Sequence, residues 1–304
     1  MSELREPDID LATPSEVKNL LRERELRLHK FLGQHFLVDK NILKKIIQTA
    51  NIKEGEKVLE IGAGIGTLTF ALAGEGASVV AIEKDGKFAS VLKEFASGYP
   101  NIRVINDDIL KLDLGAILEE FPVWKVVSDL PYNIASPILF KLISFKEKLS
   151  SIIVMLQREF AERITAKPGS KSYSFLTIKM QYHMDIEIIH KVSRTVFFPP
   201  PRVDSTLVAL KPLKNPRVKV SNEELFFKIA DAMFRMRRKN LKNSLEPLNP
   251  PLSFYEKSSI DLTRRGETLS LEEVGVLTDF MNEEIQKIND QTPRNKIQTI
   301  TNHQ

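Results

Sequence analysis

The chain has 304 residues, 42% hydrophobic and 28% charged, which is enough apolar content and length for one large domain and a smaller one. A formal net charge of +4 and a pI near 9.0 allow a polyanionic partner but exclude a protein that binds nucleic acid by charge density alone. There is no cysteine, which removes disulfides, thiolate metal sites and cysteine nucleophiles together.

The opening "MSELREPDID" is acidic and has no apolar core, so it suits neither a secretory signal nor an Arg-rich presequence. No apolar run approaches the roughly 20 residues that span a bilayer. A soluble, cytoplasmic chain without a membrane partner is expected. "LLRERELRLHK" mixes charge signs and reads as a helix and entry arm, residues 1–30. Five histidines without close spacing give no metal site.

Next come short runs rich in Val and Ile: "KVLEIG", "ASVVAIEKD", "IRVIN", "WKVVSDL" and "SSIIVML", separated by amphipathic helical segments. That alternation predicts an α/β fold, a mostly parallel sheet with helices on both faces, over residues 31–212. Two further strands, "MDIEIIHKVS" and "STLVALKP", are joined by "VFFPPPRVDS". That turn is too short for a crossover helix, so the last strand must run antiparallel. From residue 213 to 287 the period becomes helical, in "NEELFFKIADAMFRMRRKNLKNSL" and "SLEEVGVLTDFMNEEIQKI", which predicts a smaller all-helical domain. Residues 288–304 are too polar to pack and are expected to be a disordered tail.

"VLEIGAGIGTLTFAL" sets Gly62, Gly64 and Gly66 between a strand and a helix, where backbone amides can approach a ligand. A tight turn without ligand would look the same. The spacing is G-x-G-x-G with Glu60 just before it, which disfavours a dinucleotide fingerprint. Glu83, Asp108 and Asp129 then follow successive strands. In an open α/β sheet those C-terminal ends share one crevice. A carboxylate after the second strand can hold a ribose, and one after the third an adenine amino group. Adenosine without a pyrophosphate cradle points to S-adenosylmethionine.

"DLPY" ends the fourth strand and faces the same crevice. An adenine N6 lone pair is delocalised into its ring, so a methyl-transfer site must draw the amine hydrogens onto acceptors. Asp129 offers a side-chain oxygen, Leu130 a carbonyl splayed by Pro131, and Tyr132 a face for stacking a flipped base. In the helical region "FRMRRKNLKNSL" sets Arg235, Arg237, Arg238, Lys239 and Lys242 within about two helical turns. Such a run is either a solvated helix face or a set of phosphate contacts.

Taken together, "HKFLGQHFLVDKNIL", "VLEIGAGIGTLTFAL", "AIEKD", "INDDIL", "SDLPYNI", "VFFPPPRVDS" and "FRMRRKNLKNSL" resemble the ribosomal RNA adenine N6,N6-dimethyltransferase family over residues 14–285. The resemblance implies a Rossmann-like class I methyltransferase sheet and S-adenosyl-L-methionine as cofactor. It implies that His35 and Leu37 touch the methionine part of the cofactor, that Gly62 lies against it, that Glu83 holds the ribose and Asp108 the adenine amino group. Asp129 would sit between cofactor and target amine, and Tyr132 and Phe197 would sandwich the adenine. Many relatives carry Asn at the positions of His35 and Asp129. An ionised Asp129 would lack the amide donor and add a negative charge near the developing positive one.

The "RRKNLKNSL" segment resembles enzymes that dimethylate two adjacent adenines in a 3′-terminal hairpin of small-subunit (16S) rRNA during ribosome biogenesis. A monomer acting on that rRNA or on the immature small subunit is expected, with no metal. Two alternatives remain at this point: a large-subunit rRNA adenine methyltransferase, and an assembly or nucleic-acid-binding factor on the same fold.

Overall fold

The computed structural model describes residues 11–28 and 33–291. Among these the chain forms two compact units, one from the residues up to Thr165 together with His183–Lys214, the other from Ala166–Tyr182 and the residues from Asn215 onward.

The first unit is built on a seven-stranded sheet. Its strands are β1 (Lys57–Ile61), β2 (Ser78–Glu83), β3 (Ile102–Asn106), β4 (Trp124–Asp129), β5 (Leu149–Gln157), β6 (Met184–Val192) and β7 (Ser205–Pro212). The order across the sheet is β3-β2-β1-β4-β5-β7-β6. All neighbours are parallel except β7, which runs antiparallel to both β5 and β6, as the short proline-rich connection requires. The order reverses between β1 and β4, so the crevice for a ligand opens there, beyond the C-terminal strand ends.

Helices α1 (Pro14–Glu23), α2 (Lys40–Ala50), α3 (Thr67–Gly74), α4 (Gly86–Phe95), α5 (Leu114–Leu118), α6 (Ala135–Ile143) and α7 (Arg158–Ile164) complete this unit. The start of α2 is fixed by Asp39, whose side chain accepts from Asn41 and Ile42 N–H; Asp85 does the same for Lys87 and Phe88 at α4. Ile46, Leu68, Leu72 and Leu92 from α2, α3 and α4 pack with Val58, Val79, Val127 and Met155 of the sheet. The predicted entry arm is α1. It buries Val17, Leu20 and Leu21 in a cluster with Phe36, Ile65 and Phe88, so it belongs to the sheet unit rather than standing apart. The rest of the arm, residues 1–10 and 29–30, lies outside the described residues.

The second unit is helical: α8 (Phe175–His183), whose last residue falls in the sheet unit, then α9 (Glu223–Arg235), α10 (Leu241–Leu245), α11 (Leu252–Lys257) and α12 (Leu271–Gln291). Its core combines Tyr173, Ile178 and Tyr182 with Phe226, Ile229, Met233, Phe254, Leu277 and Met281. A single boundary near residue 213 therefore does not describe the chain. Ala166–Tyr182 lies inside the span expected for the sheet domain, yet its aromatic side chains pack into the helical core. The expected tail also begins too early, because α12 continues through residues 288–291. Residues 292–304 lie outside the described residues. No helix among the described residues is long and apolar enough to cross a membrane.

Candidate active site

A cavity of about 340 Å³ opens at the C-terminal ends of β1, β2 and β4, within the size range of small-ligand sites. Glu83 ends β2 and Asp129 ends β4; Asp108 follows β3 by two residues. All three line the cavity, together with Gly62 of the glycine loop and His35 and Leu37 of "GQHFL". Leu130 and Tyr132 line it as well. Gly62 has φ +79°, and a Cβ there would come within 3.1 Å of the Pro131 ring, so the glycine lets the loop lie directly against "DLPY".

The carboxylates differ in their surroundings. Glu83 is 8% exposed, and each of its oxygens accepts a backbone N–H, one from Gly64 at 2.7 Å and one from Asp85 at 2.8 Å. Each oxygen retains a lone pair that could take a ribose hydroxyl. Burial pushes this carboxyl above its ordinary range, against the pull of those N–H groups. Asp108 is held by Lys84 at 2.9 Å and by Leu110 N–H at 3.0 Å, which lower its pKa and keep it ionised. Its loop is tied down from α6, where Lys141 Nζ donates to the carbonyls of Ile109 (2.8 Å) and Leu112 (2.5 Å).

Asp129 is different: its Oδ1 is buried without a hydrogen-bond partner. Burial alone pushes this carboxyl up to about 8. The ionised form weighed from the sequence is disfavoured by this burial. At neutral pH the group is a neutral acid, with one carbonyl oxygen and one O–H, the same pairing of acceptor and donor that an Asn amide would present. Glu60, beneath the glycine loop, is 3% exposed, accepts from Thr69 Oγ1 at 2.5 Å and is likewise pushed up to about 8 by burial. Sequence reasoning noted Glu60 but left it out of the site. It also missed Lys84 and Lys141, which no local pattern connects to Asp108.

Tyr132 is half-buried, and its hydroxyl lies 2.6 Å from Ser205 Oγ. Its ring faces the His35 imidazole, with centroids 6.2 Å apart and planes 23° from parallel. His35 Nδ1 is 2.6 Å from the Pro199 carbonyl, which can only accept, so Nδ1 carries the proton and the "GQHFL" and "FFPPP" segments are joined. Phe197 does not sit where the sequence expectation put it. It is 2% exposed, paired with Leu37 in a short antiparallel ladder and packed among Leu68 and Met155, and it does not line the cavity. In "FF" adjacent residues point to opposite faces, and here the first is core.

In the helical unit, Arg235 ends α9 and pairs with Asp231 at 2.6 Å. The helix stops at Met236, so the five basic residues are not on two turns of one helix. Arg237 is turned inward and tied to Glu267 and to the carbonyls of Ser170 and Lys171. Arg238, Lys239 and Lys242 are exposed. Among the described residues no group of three or more His, Asp or Glu is arranged to hold a metal ion.

The residues fit an S-adenosyl ligand: an acceptor pair at Glu83, an ionised acceptor at Asp108, a glycine wall, and an orphan oxygen at the transfer end. Comparison with known proteins agrees. Residues 25–282 match the family described as "Ribosomal RNA adenine dimethylase". The chain is 42% identical over 276 residues, 88% of its length and 96% of the relative's, to the "Ribosomal RNA small subunit methyltransferase A" of Alkaliphilus oremlandii. Among solved structures it is similar to a dimethyladenosine transferase from Plasmodium falciparum, with TM-score 0.65 and 29% identity, covering 83% of this chain and 97% of that one. It is also similar to the 23S rRNA methyltransferase ErmE, with TM-score 0.62 and 26% identity over 81% and 99%.

Proposed function

The chain belongs to the ribosomal RNA adenine dimethylase family, and on that premise we propose that it dimethylates the N6 amino groups of two adjacent adenines in a 3′-terminal hairpin of small-subunit rRNA during ribosome biogenesis. The observation that carries this reading is the orphan Asp129 oxygen in the same cavity as Glu83 and Asp108. A buried polar atom without a partner costs stability, and a substrate N–H would satisfy it.

S-adenosylmethionine, when bound, supplies an electrophilic methyl group. Glu83 and Asp108 hold its adenosine and thereby orient it. Asp129 and the Leu130 carbonyl accept the two hydrogens of the target amine, which turns the nitrogen lone pair out of conjugation and favours the positive charge that grows during attack. Tyr132 stacks the flipped base, a contact worth about 1–3 kcal/mol. Transfer forms the N–CH3 bond as the S–CH3 bond breaks and leaves a cationic nitrogen; one of the amine's own hydrogens then departs as a proton to solvent, which restores the lone pair for a second attack. Arg238, Lys239 and Lys242 contact rRNA phosphates, with Arg235 beside them, while Arg237 braces their segment.

The choice of the small subunit rests on the length and level of the likeness to small-subunit relatives, against 26% to the large-subunit enzyme. We propose a cytoplasmic monomer whose substrate is this rRNA or the immature subunit that contains it. The test is to offer unmethylated small subunits and large subunits with labelled S-adenosylmethionine and map the product by mass spectrometry. Dimethyladenine in small-subunit rRNA is expected. Label in large-subunit rRNA alone would overturn the substrate, and label in neither would favour an assembly factor.

A further inference from the structure

Outside the cavity, two guanidinium groups gather at one carboxylate beside the catalytic strand ends, and the backbone of a third arginine joins them. Gln157, the last residue of β5, is in register with Ser205, the first of β7 and the partner of the Tyr132 hydroxyl. One step beyond each strand stand Arg158 and Asp204, joined by the Arg158 N–H to the Asp204 carbonyl at 3.0 Å. Arg158 Nη1 lies 3.9 Å from Asp204 Oδ2, and Arg194 Nε 3.5 Å from Oδ1. Arg194 also donates to the Arg202 carbonyl at 2.7 Å, which brings the third arginine's backbone to the cluster.

Exposed ion pairs at such distances contribute little to stability. The Arg158 and Arg194 side chains are 58% and 51% exposed, and Arg202 is exposed too. Counter-charge is sparse: Asp204 serves both Arg158 and Arg194, and Glu162 lies 3.8 Å from Arg158. The surplus is positive and sits one residue from the partner of the stacking tyrosine. A planar guanidinium matches two phosphate oxygens at once. Flipping a nucleotide swings its base inward while its own phosphates stay at the rim.

We propose that Arg158, Arg194 and Arg202 form a phosphate-binding rim that grips the RNA backbone on either side of the flipped adenine. This rests on the RNA-methylating function proposed above, and all three arginines belong to the sheet unit.

The test uses the full chain with R158Q/R194Q/R202Q, compared with R22Q/R103Q/K148Q, which removes as much charge from two exposed positions and one half-buried one elsewhere in the same unit. Binding of an unmethylated small-subunit rRNA hairpin is followed by fluorescence anisotropy across a salt series, cofactor binding by calorimetry, and methyl transfer in parallel. The rim variant should bind RNA about tenfold more weakly at about 0.1 M salt, with the slope of log affinity against log salt shallower by about 2, and with unchanged cofactor affinity. Affinity and slope equal to the control variant would overturn the rim, as would a loss of cofactor binding. R202Q alone removes a side chain without a hydrogen bond or ion pair among the described residues, so its two- to threefold weaker RNA binding keeps the test independent of folding. If the unaltered protein binds the hairpin but never methylates it, and the rim variant still binds more weakly and with a shallower slope than the control, the function fails while the rim stands. If it methylates and the rim variant equals the control, the rim alone fails.

Discussion

Glu83 and Asp129 are carboxyl groups at the ends of two strands in one cavity, and the protein treats them in opposite ways. Both Glu83 oxygens are held by backbone N–H groups before any ligand arrives, whereas Asp129 keeps an oxygen without a partner. Under the proposed function, the cofactor end is thus organised in advance, and the transfer end is left open for the donor that must react there. Incomplete hydrogen bonding is costly in a core, and on the proposed function the Asp129 oxygen is where a substrate N–H would complete the structure.

The largest effect that bears on this contrast is expected from Asp129→Ala, which should slow single-turnover methylation at least about a hundredfold, while Asp129→Asn stays within about tenfold of the parent rate. A fully active alanine variant would remove the distinction between the two ends. Glu83→Ala should instead weaken cofactor binding by about ten- to a hundredfold, read by calorimetry, because it strands the Gly64 and Asp85 N–H groups and removes the ribose acceptor. Lys141→Met should weaken cofactor binding by a smaller factor, about three- to tenfold, through a loosened Asp108 loop. A rate defect at saturating cofactor would assign Lys141 to the transfer end.

The smallest effect is on pH dependence. Asp129 titrates at about 8 when folded and near 3.8 when unfolded, so between those values the native state holds a proton that the unfolded chain has lost. Stability therefore falls as pH rises through that window, and Glu60 adds to the fall. Asp129→Asn cannot titrate, and its melting temperature should drop less between pH 5 and pH 9 than that of the parent.

The strands, their acidic ends and the antiparallel last strand were legible because each leaves a local mark: alternation, a terminal carboxylate, a connection too short for a helix. What escaped was decided by distant partners. Phe197 and Phe198 are the same residue type side by side, and only the ladder with Phe36 and Leu37 determines which one faces the core. Arg237 is one cation in a run until Glu267, far along the chain, fixes it. The neutrality of Asp129 follows from burial by the surrounding fold, which "SDLPY" does not encode by itself. Likewise, nothing in "SKSYSFLTIKMQYH" says whether its aromatic residues complete the sheet unit or the helical one.

That last segment has a consequence for how the chain is made. Tyr173 and Tyr182 leave the ribosome well before Phe234, Phe226 and Leu269, with which they share ring contacts and a hydrogen bond. At about 5–20 residues per second they wait for seconds, apolar and uncovered, for α9 and α12 to be synthesised. For that interval the nascent chain carries an aromatic patch that only its own later half can cover, so a product cut short near residue 213 should aggregate rather than persist as a stable catalytic fragment.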